Sequence, residues 1–283
     1  MKPLSFLLLS FIIFMTYSCK NSQNSTAYKP VYFNNSDRML VVGHRGSPDI
    51  APENTLSSEK IAFKENADMV ECDVWLTKDK RIMVMHDSTT YRTSGENWSM
   101  ELTPSDSLKL LDVGKFKGPD YYDERIPYLT ELIENIPQNK HLVIELKSEN
   151  VIVPYLSKLI DSLDVANKVV FISFHKKAAG DIKKAVPNAP SFLLIDSLPQ
   201  KQVLDLIDTA KAYNLDGVDI QHDVINQAVM DKAIEYNYPV FTWTVDSVNE
   251  AKRLQKLGVA GLTTNRPGVM VQELYPDKAP ATK

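Results

Sequence analysis

The chain has 283 residues, 43% of them hydrophobic and 24% charged, with a formal net charge of −4. That length suits one large domain or two small ones. A mildly acidic chain with no Lys/Arg cluster lacks the means to neutralise a phosphate backbone, which argues against nucleic acid as a partner.

Lys2 is followed by an apolar run from Leu4 to Met15 and then by Thr16-Tyr17-Ser18-Cys19. A basic start, a short apolar core and a small residue before the cut make residues 1–18 a signal peptide by pattern. The run is shorter than the ~20 residues a transmembrane helix needs. Cys19, directly after Ser18, resembles the lipidated cysteine of a bacterial lipoprotein, although Thr16 stands where an aliphatic residue is usual. The expectation is an exported lipoprotein, periplasmic or on the cell surface, held to the membrane by an N-terminal lipid anchor. Ordinary secretory cleavage nearby is the other reading. Once Cys19 is acylated, only Cys72 remains, so no disulfide forms within the monomer. Residues 19–37 are polar and rich in Asn and Ser, a flexible tether by composition. The folded domain is expected over 38–283.

From Arg38 onward, short β-rich runs alternate with amphipathic stretches. Strands are predicted at Met39–Gly43, Met69–Asp73, Leu142–Glu145, Val169–Ser173, Ser191–Ile195, Gly217–Ile220, Val240–Trp243 and Ala260–Thr263. Helices are predicted at Thr55–Asn66, Tyr128–Asn135, Val151–Leu163, Lys176–Ala185, Lys201–Tyr213, Asn226–Tyr236 and Ser247–Leu257. Asn226 and Ser247 suit N-caps, and Gly258 suits a helix-ending position. Eight strand–helix alternations point to an α/β fold with a parallel sheet, closed as a TIM (β/α)8 barrel; an open doubly wound sheet is the alternative. Residues 87–127 break the rhythm and read as an insertion after the second strand, over the face where barrel active sites lie.

Strand ends carry the chemistry. His44, Arg45 and Gly46 follow the first strand. Glu71 and Asp73 close the second and share a face, because side chains alternate along a strand. Glu145 and Lys147 repeat the spacing at the third. The chain then reverses near Asp79-Lys80. A two-residue turn there would set Asp73 opposite His86, with Cβ atoms about 5 Å apart. Three carboxylates supply hard oxygen ligands that suit a divalent cation, Ca²⁺ or Mg²⁺. Such an ion can neutralise a phosphodiester, Arg45 and Lys147 can hold its oxygens, and two histidines can divide the proton transfers.

In order and spacing, HRG (44–46) and PENT (52–55), the E-x-D of 71–73, LTKD (76–79), HD (86–87) and ELK (145–147) resemble the glycerophosphodiester phosphodiesterase family. DSTTYRTSG, LDVGKFKGPDYYDERIPYLTEL, SFH, WTVD and GLTTNRP extend the resemblance over roughly Met39 to Pro267. It implies a TIM barrel that hydrolyses glycerophosphodiesters to glycerol 3-phosphate and an alcohol. His44 and His86 would be the acid–base pair, and Glu71, Asp73 and Glu145 the metal ligands. Arg45 and Lys147 would bind phosphate, Trp243 would wall the glycerol or head group, and Glu53 and Asn54 would support the metal and the HRG loop. Departures from the family pattern are Lys80 for a turn glycine, His175 for Asp or Asn, and Asn265 for Asp. The implied partner is a small-molecule glycerophosphodiester; no protein partner is implied.

Other readings differ in what they require. A phospholipase D-like or lysophospholipid-cleaving enzyme on the same scaffold would need an open apolar face on residues 87–127. A non-catalytic binding lipoprotein would not need both histidines. A glycosidase would leave His44, His86 and Lys147 without roles.

Overall fold

A computed structural model describes residues 38–278; the signal segment, Cys19 and the tether lie outside the described residues. The barrel strands are β1 (Leu40–Gly43), β2 (Met69–Leu76), β4 (His141–Leu146), β5 (Val169–Ser173), β6 (Ser191–Ile195), β7 (Gly217–Gln221), β8 (Val240–Trp243) and β9 (Gly261–Thr264). β3 (Ile82–Val84) is an antiparallel addition to β2. The parallel ladder runs from β1 through β9 down to β4 and β2, and the pairing of β1 with β2 closes the ring. An open sheet leaves its first and last strands unpaired; here Val42 faces Met69 across the closing seam, so the structure is a barrel.

β2 is the longest strand because one of its edges serves two partners. Met69 and Val70 pair with β1, and Val74 to Leu76 pair with β3, while the opposite edge pairs with β4 from Met69 to Val74.

Alternation sorts the side chains. Inward residues, among them Val42, Met69, Val143, Val170, Phe192, Leu194 and Phe241, fill the lower barrel as an apolar plug. Phe192 and Phe241 meet edge to face at 5.4 Å between ring centroids. Outward residues such as Val70, Cys72, Val218 and Ile220 pack under the helices. Buried Cys72 is therefore a core residue.

The outer helices are α1 (Leu56–Lys64), α4 (Leu129–Asn135), α5 (Val153–Leu163), α6 (Lys176–Ala185), α7 (Gln200–Ala212), α8 (Gln227–Glu235), α9 (Val248–Leu257) and α10 (Pro267–Leu274). Asn226 and Ser247 cap α8 and α9 through their side chains, and Gly258 ends α9 in the left-handed region, as expected. α10 escaped the sequence reading. Pro267-Gly268 looks like a loop, yet proline at the first helical position loses no intrahelical bond.

Two short helices, α2 (Tyr91–Ser94) and α3 (Ser105–Leu108), lie between Asp87 and Pro127. This segment packs on its own apolar cluster, in which Met83 and Met85 meet Met100, Leu108, Val113 and Ile126, with Trp75 and Trp98 against them. No helix among the described residues is long and apolar enough to cross a membrane.

Candidate active site

The C-terminal end of β1 places His44 and Arg45 on the barrel mouth, followed by a tight turn. Gly46 is held at φ +93°, and a Cβ there would come within 2.3 Å of Ser58 Oγ, so only glycine lets the turn pack onto α1. Arg45, at φ 55°, turns its backbone N–H toward Glu71 and donates to Oε2 at 3.0 Å. Its carbonyl accepts from Asn54 N (3.0 Å) and Ser58 Oγ (2.9 Å).

Glu71, Asp73 and Glu145 meet above the apolar plug, each offering an oxygen within 4.8 Å of the others. Register explains this: Asp73 of β2 lies directly across from Glu145 of β4, and Glu71 is one inward position below Asp73. Asn54 braces the pair by donating to Asp73 Oδ2 at 2.8 Å. Lys147 Nζ reaches Glu145 Oε1 at 2.9 Å and Asp73 Oδ1 at 3.5 Å, and Arg45 Nε lies 3.4 Å from Asp73 Oδ2. Arg45 Nη1 also donates to Glu53 Oε1 at 2.9 Å.

Crowded carboxylates raise one another's proton affinity. Burial, then the charges of Asp73 and Glu145, push Glu71 well above the usual carboxylate range. Burial and Asp73 push Glu145 up to about 8. Burial acts on Asp73 in the same direction, but the charges of Arg45 and Lys147 overcome it and hold Asp73 low. A set of three hard oxygen donors under this mutual repulsion is chemically suited to a divalent cation, and these three residues could hold one.

His86 enters the cavity by a route other than the expected one. β3 pairs Val74 with Val84 and Leu76 with Ile82, and Met85 N donates to Asp73 O at 3.0 Å. Met85, not His86, therefore lies opposite Asp73. The reversal spans three residues, Lys78-Asp79-Lys80, with Lys80 N donating to Thr77 O and Lys80 itself in the left-handed region at φ 66°. Three-residue hairpin loops place such a residue last, which accounts for the glycine usual at that position. The slip alone would have turned His86 outward; bends at residues 86–88, past the end of β3, bring it back to the cavity.

Each histidine has a partner on Nδ1. His44 Nδ1 lies 2.8 Å from Asn265 Oδ1, and His86 Nδ1 lies 2.7 Å from Asp87 Oδ1. Asn265 Nδ2 donates to Asp246 Oδ2 at 2.7 Å, and Asp246 Oδ1 accepts from Asn265 N and Thr264 Oγ1. Asn265 must therefore present its carbonyl oxygen to His44, so His44 carries its proton on Nδ1 and leaves Nε2 as an acceptor. Burial, then the adjacent Arg45 charge, push His44 down to about 4, so the ring is neutral at pH 7.

Arg92, on α2, donates to both oxygens of Asp87 and of Glu53, tying the loop that carries His86 to the residue that holds Arg45. Neither Arg92 nor Asp246 was singled out from the sequence for such a role. DSTTYRTSG and WTVD contain them, but only the fold brings them to the histidines.

His44, Arg45, Glu71, His86, Glu145, Lys147 and Trp243 all line one cavity, with Phe174, Leu194 and Asp219 deeper or beside them. Glu53, Asn54 and Asp73 stand directly behind Arg45. Cys19 lies outside the described residues, and His175 is largely exposed, 4.0 Å from Glu149. A mouth that joins three carboxylates, two cationic side chains and two oriented imidazoles can bind a phosphate ester and transfer protons on either side of it.

Residues 44–269 match the glycerophosphoryl diester phosphodiesterase family. A glycerophosphodiester phosphodiesterase of Caldanaerobacter subterraneus subsp. tengcongensis is 33% identical over 243 residues, covering 83% of this chain and 97% of its own. One from Bacillus subtilis (strain 168) is 30% identical over 253 residues, covering 82% and 85%. Among solved structures, an Oleispira antarctica phosphodiesterase, in complex with the product sn-glycerol-3-phosphate, is similar with a TM-score of 0.73 and 26% identity, over 84% of this chain and 97% of its own.

Proposed function

The chain belongs to the glycerophosphoryl diester phosphodiesterase family, and from that premise we propose that it hydrolyses glycerophosphodiesters to glycerol 3-phosphate and an alcohol with a two-histidine acid–base pair. The observation that carries the reading is that the carboxylate cluster of Glu71, Asp73 and Glu145 meets at the cavity lined by His44 and His86. Arg45 and Lys147 take the phosphoryl oxygens. His44 Nε2 removes a proton from the attacking water, whose oxygen forms the new bond to phosphorus. The bond from phosphorus to the leaving alcohol breaks, and His86 delivers a proton to the departing oxygen. Asp87 suits His86 to this task by holding Nδ1 and so fixing the orientation of the ring.

Glu71, Asp73 and Glu145 would hold the divalent cation, Ca²⁺ or Mg²⁺. When bound, it neutralises charge on the phosphoryl group. Activity of purified protein on a panel of glycerophosphodiesters, with and without chelator, tests the reading. Full activity in excess chelator, with no retained metal by elemental analysis, would overturn the metal assignment.

A second reading has an observation of its own. Residues 87–127 expose Tyr91, Leu102, Leu110, Phe116 and Tyr122, each more than half accessible. Exposed apolar side chains on the segment that follows His86 favour a lysophospholipid as an additional or alternative substrate. Lysophospholipids in the same panel decide between the two: a higher kcat/KM on them than on the deacylated diesters would favour this reading.

The residue pattern around Cys19 supports attachment to a membrane through lipid on that cysteine. Cys19→Ala should leave the protein unprocessed or release it to the aqueous fraction of its host. Wild-type protein that is soluble and unacylated there would refute the anchor.

A further inference from the structure

Asp219 points into the barrel from the middle of β7, between Val218 and Ile220, whose side chains belong to the outer apolar layer. It is 2% exposed, and its Oδ1 has no hydrogen-bond partner among the described residues. In register it lies between Leu194 of β6 and Phe241 of β8, two residues of the apolar plug. Trp243 stands one inward layer nearer the mouth on β8, and its buried Nε1–H is likewise unpartnered among the described residues. Both side chains line the cavity that holds His44 and His86.

A buried polar group without a partner is costly, so two of them on residues that line one ligand cavity mark a place where a ligand supplies the partner. We propose that Asp219 and the indole N–H of Trp243 form a hydroxyl-binding subsite on the cavity floor, which takes the glyceryl hydroxyls of the substrate. This rests on the glycerophosphodiester reading above and assigns the residues that select its glycerol. Burial pushes the Asp219 carboxyl up to about 8, with no charged group offsetting it. At neutral pH it keeps its proton and can both donate and accept, as an alcohol requires. Leu194 is the apolar neighbour for the glyceryl carbons, and Phe174 fixes the Trp243 ring edge to face at 5.6 Å between centroids.

The test compares kcat/KM on glycerophosphoglycerol with that on bis(p-nitrophenyl) phosphate, which has no aliphatic hydroxyl, for metal-loaded wild type, Asp219→Leu and Asp219→Asn. The Leu variant should lower the ratio by about tenfold or more, through KM, and the Asn variant should stay within about threefold of wild type, since an amide also donates and accepts. An unchanged ratio for Asp219→Leu overturns the subsite. So does an Asn variant as impaired as the Leu variant, because the charge would then be the working feature. Wild-type enzyme that cleaves the nitrophenyl diester but no glycerophosphodiester overturns the substrate reading itself, so the two failures are told apart.

Discussion

His44 and Asn265 are next-door neighbours across the seam between β1 and β9, although 221 positions separate them in the chain. Gly43 faces Thr264 in the ladder, His44 N donates to Thr264 O at 2.8 Å, and the next residue on each strand brings the imidazole against the amide. The amide is in turn fixed by Asp246. Removing it should disturb orientation before binding. Asn265→Ala is expected to lower kcat by about tenfold with KM little changed, because a lost neutral hydrogen bond is worth roughly that much. Asn265→Asp puts an anion beside the ring and should raise the His44 pKa from about 4, moving the acid limb of the pH–rate profile upward. A profile identical to wild type in both variants would remove Asn265 from the mechanism.

The two imidazoles should separate by leaving group. Each proton transfer is typically worth 10²–10⁴-fold, so His44→Ala and His86→Ala should each lose about that much on glycerophosphodiesters. A p-nitrophenolate leaves without protonation. On its diester the His86 variant should recover most of its rate, whereas the His44 variant should stay slow. Recovery in the His44 variant instead would exchange the two roles.

Arg92 tests whether the segment after β3 shapes the chemistry. Its guanidinium spans Asp87 and Glu53, and through them His86 and Arg45. Arg92→Ala should reduce kcat/KM by about tenfold, and Arg92→Lys should restore little, since one ammonium cannot reproduce the paired bonds. Steady-state kinetics of both variants suffice; rescue by lysine would mean that charge alone matters.

Glu59 offers a stability readout away from the site. It is 1% exposed on α1, with neither carboxyl oxygen partnered among the described residues, and burial pushes it up to about 8 from an ordinary 4.5. Between those values the folded chain keeps a proton that the unfolded chain has released. The contribution is thus fully present below the unfolded value and is lost as pH rises through the folded one. Its limiting slope is about 1.4 kcal/mol per pH unit. Glu59→Gln should flatten the decline of stability between pH 5 and 8, measured by urea unfolding. An identical decline in both proteins would mean that the carboxyl is not proton-bound when folded.

Much of this was legible in the residues because barrel strands and motif ends are local. Val169–Ser173 and Lys176–Ala185 were bounded correctly, since buried parallel strands read as continuous apolar runs and helices show their period. What escaped depends on pairing. A lysine at φ 66° hides a three-residue loop that a glycine would have announced, and that single extra residue shifted the expected partner of Asp73. Arg92, Asp246 and Asn265 are ordinary polar residues until the ring closes and sets them behind the histidines. Asp219 has no motif at all; only its Oδ1, unpartnered among the described residues, makes it conspicuous.

The handover on the edge of β2 separates two jobs within one strand. Its lower half, against β1, completes the ring, and its upper half, against β3, launches the segment that carries His86 and Arg92. The rim can thus be re-tailored while the hoop beneath it keeps its registration. Transplanting residues 82–127 from a relative should exchange substrate preference like a fitted collar, with the barrel's own melting behaviour preserved.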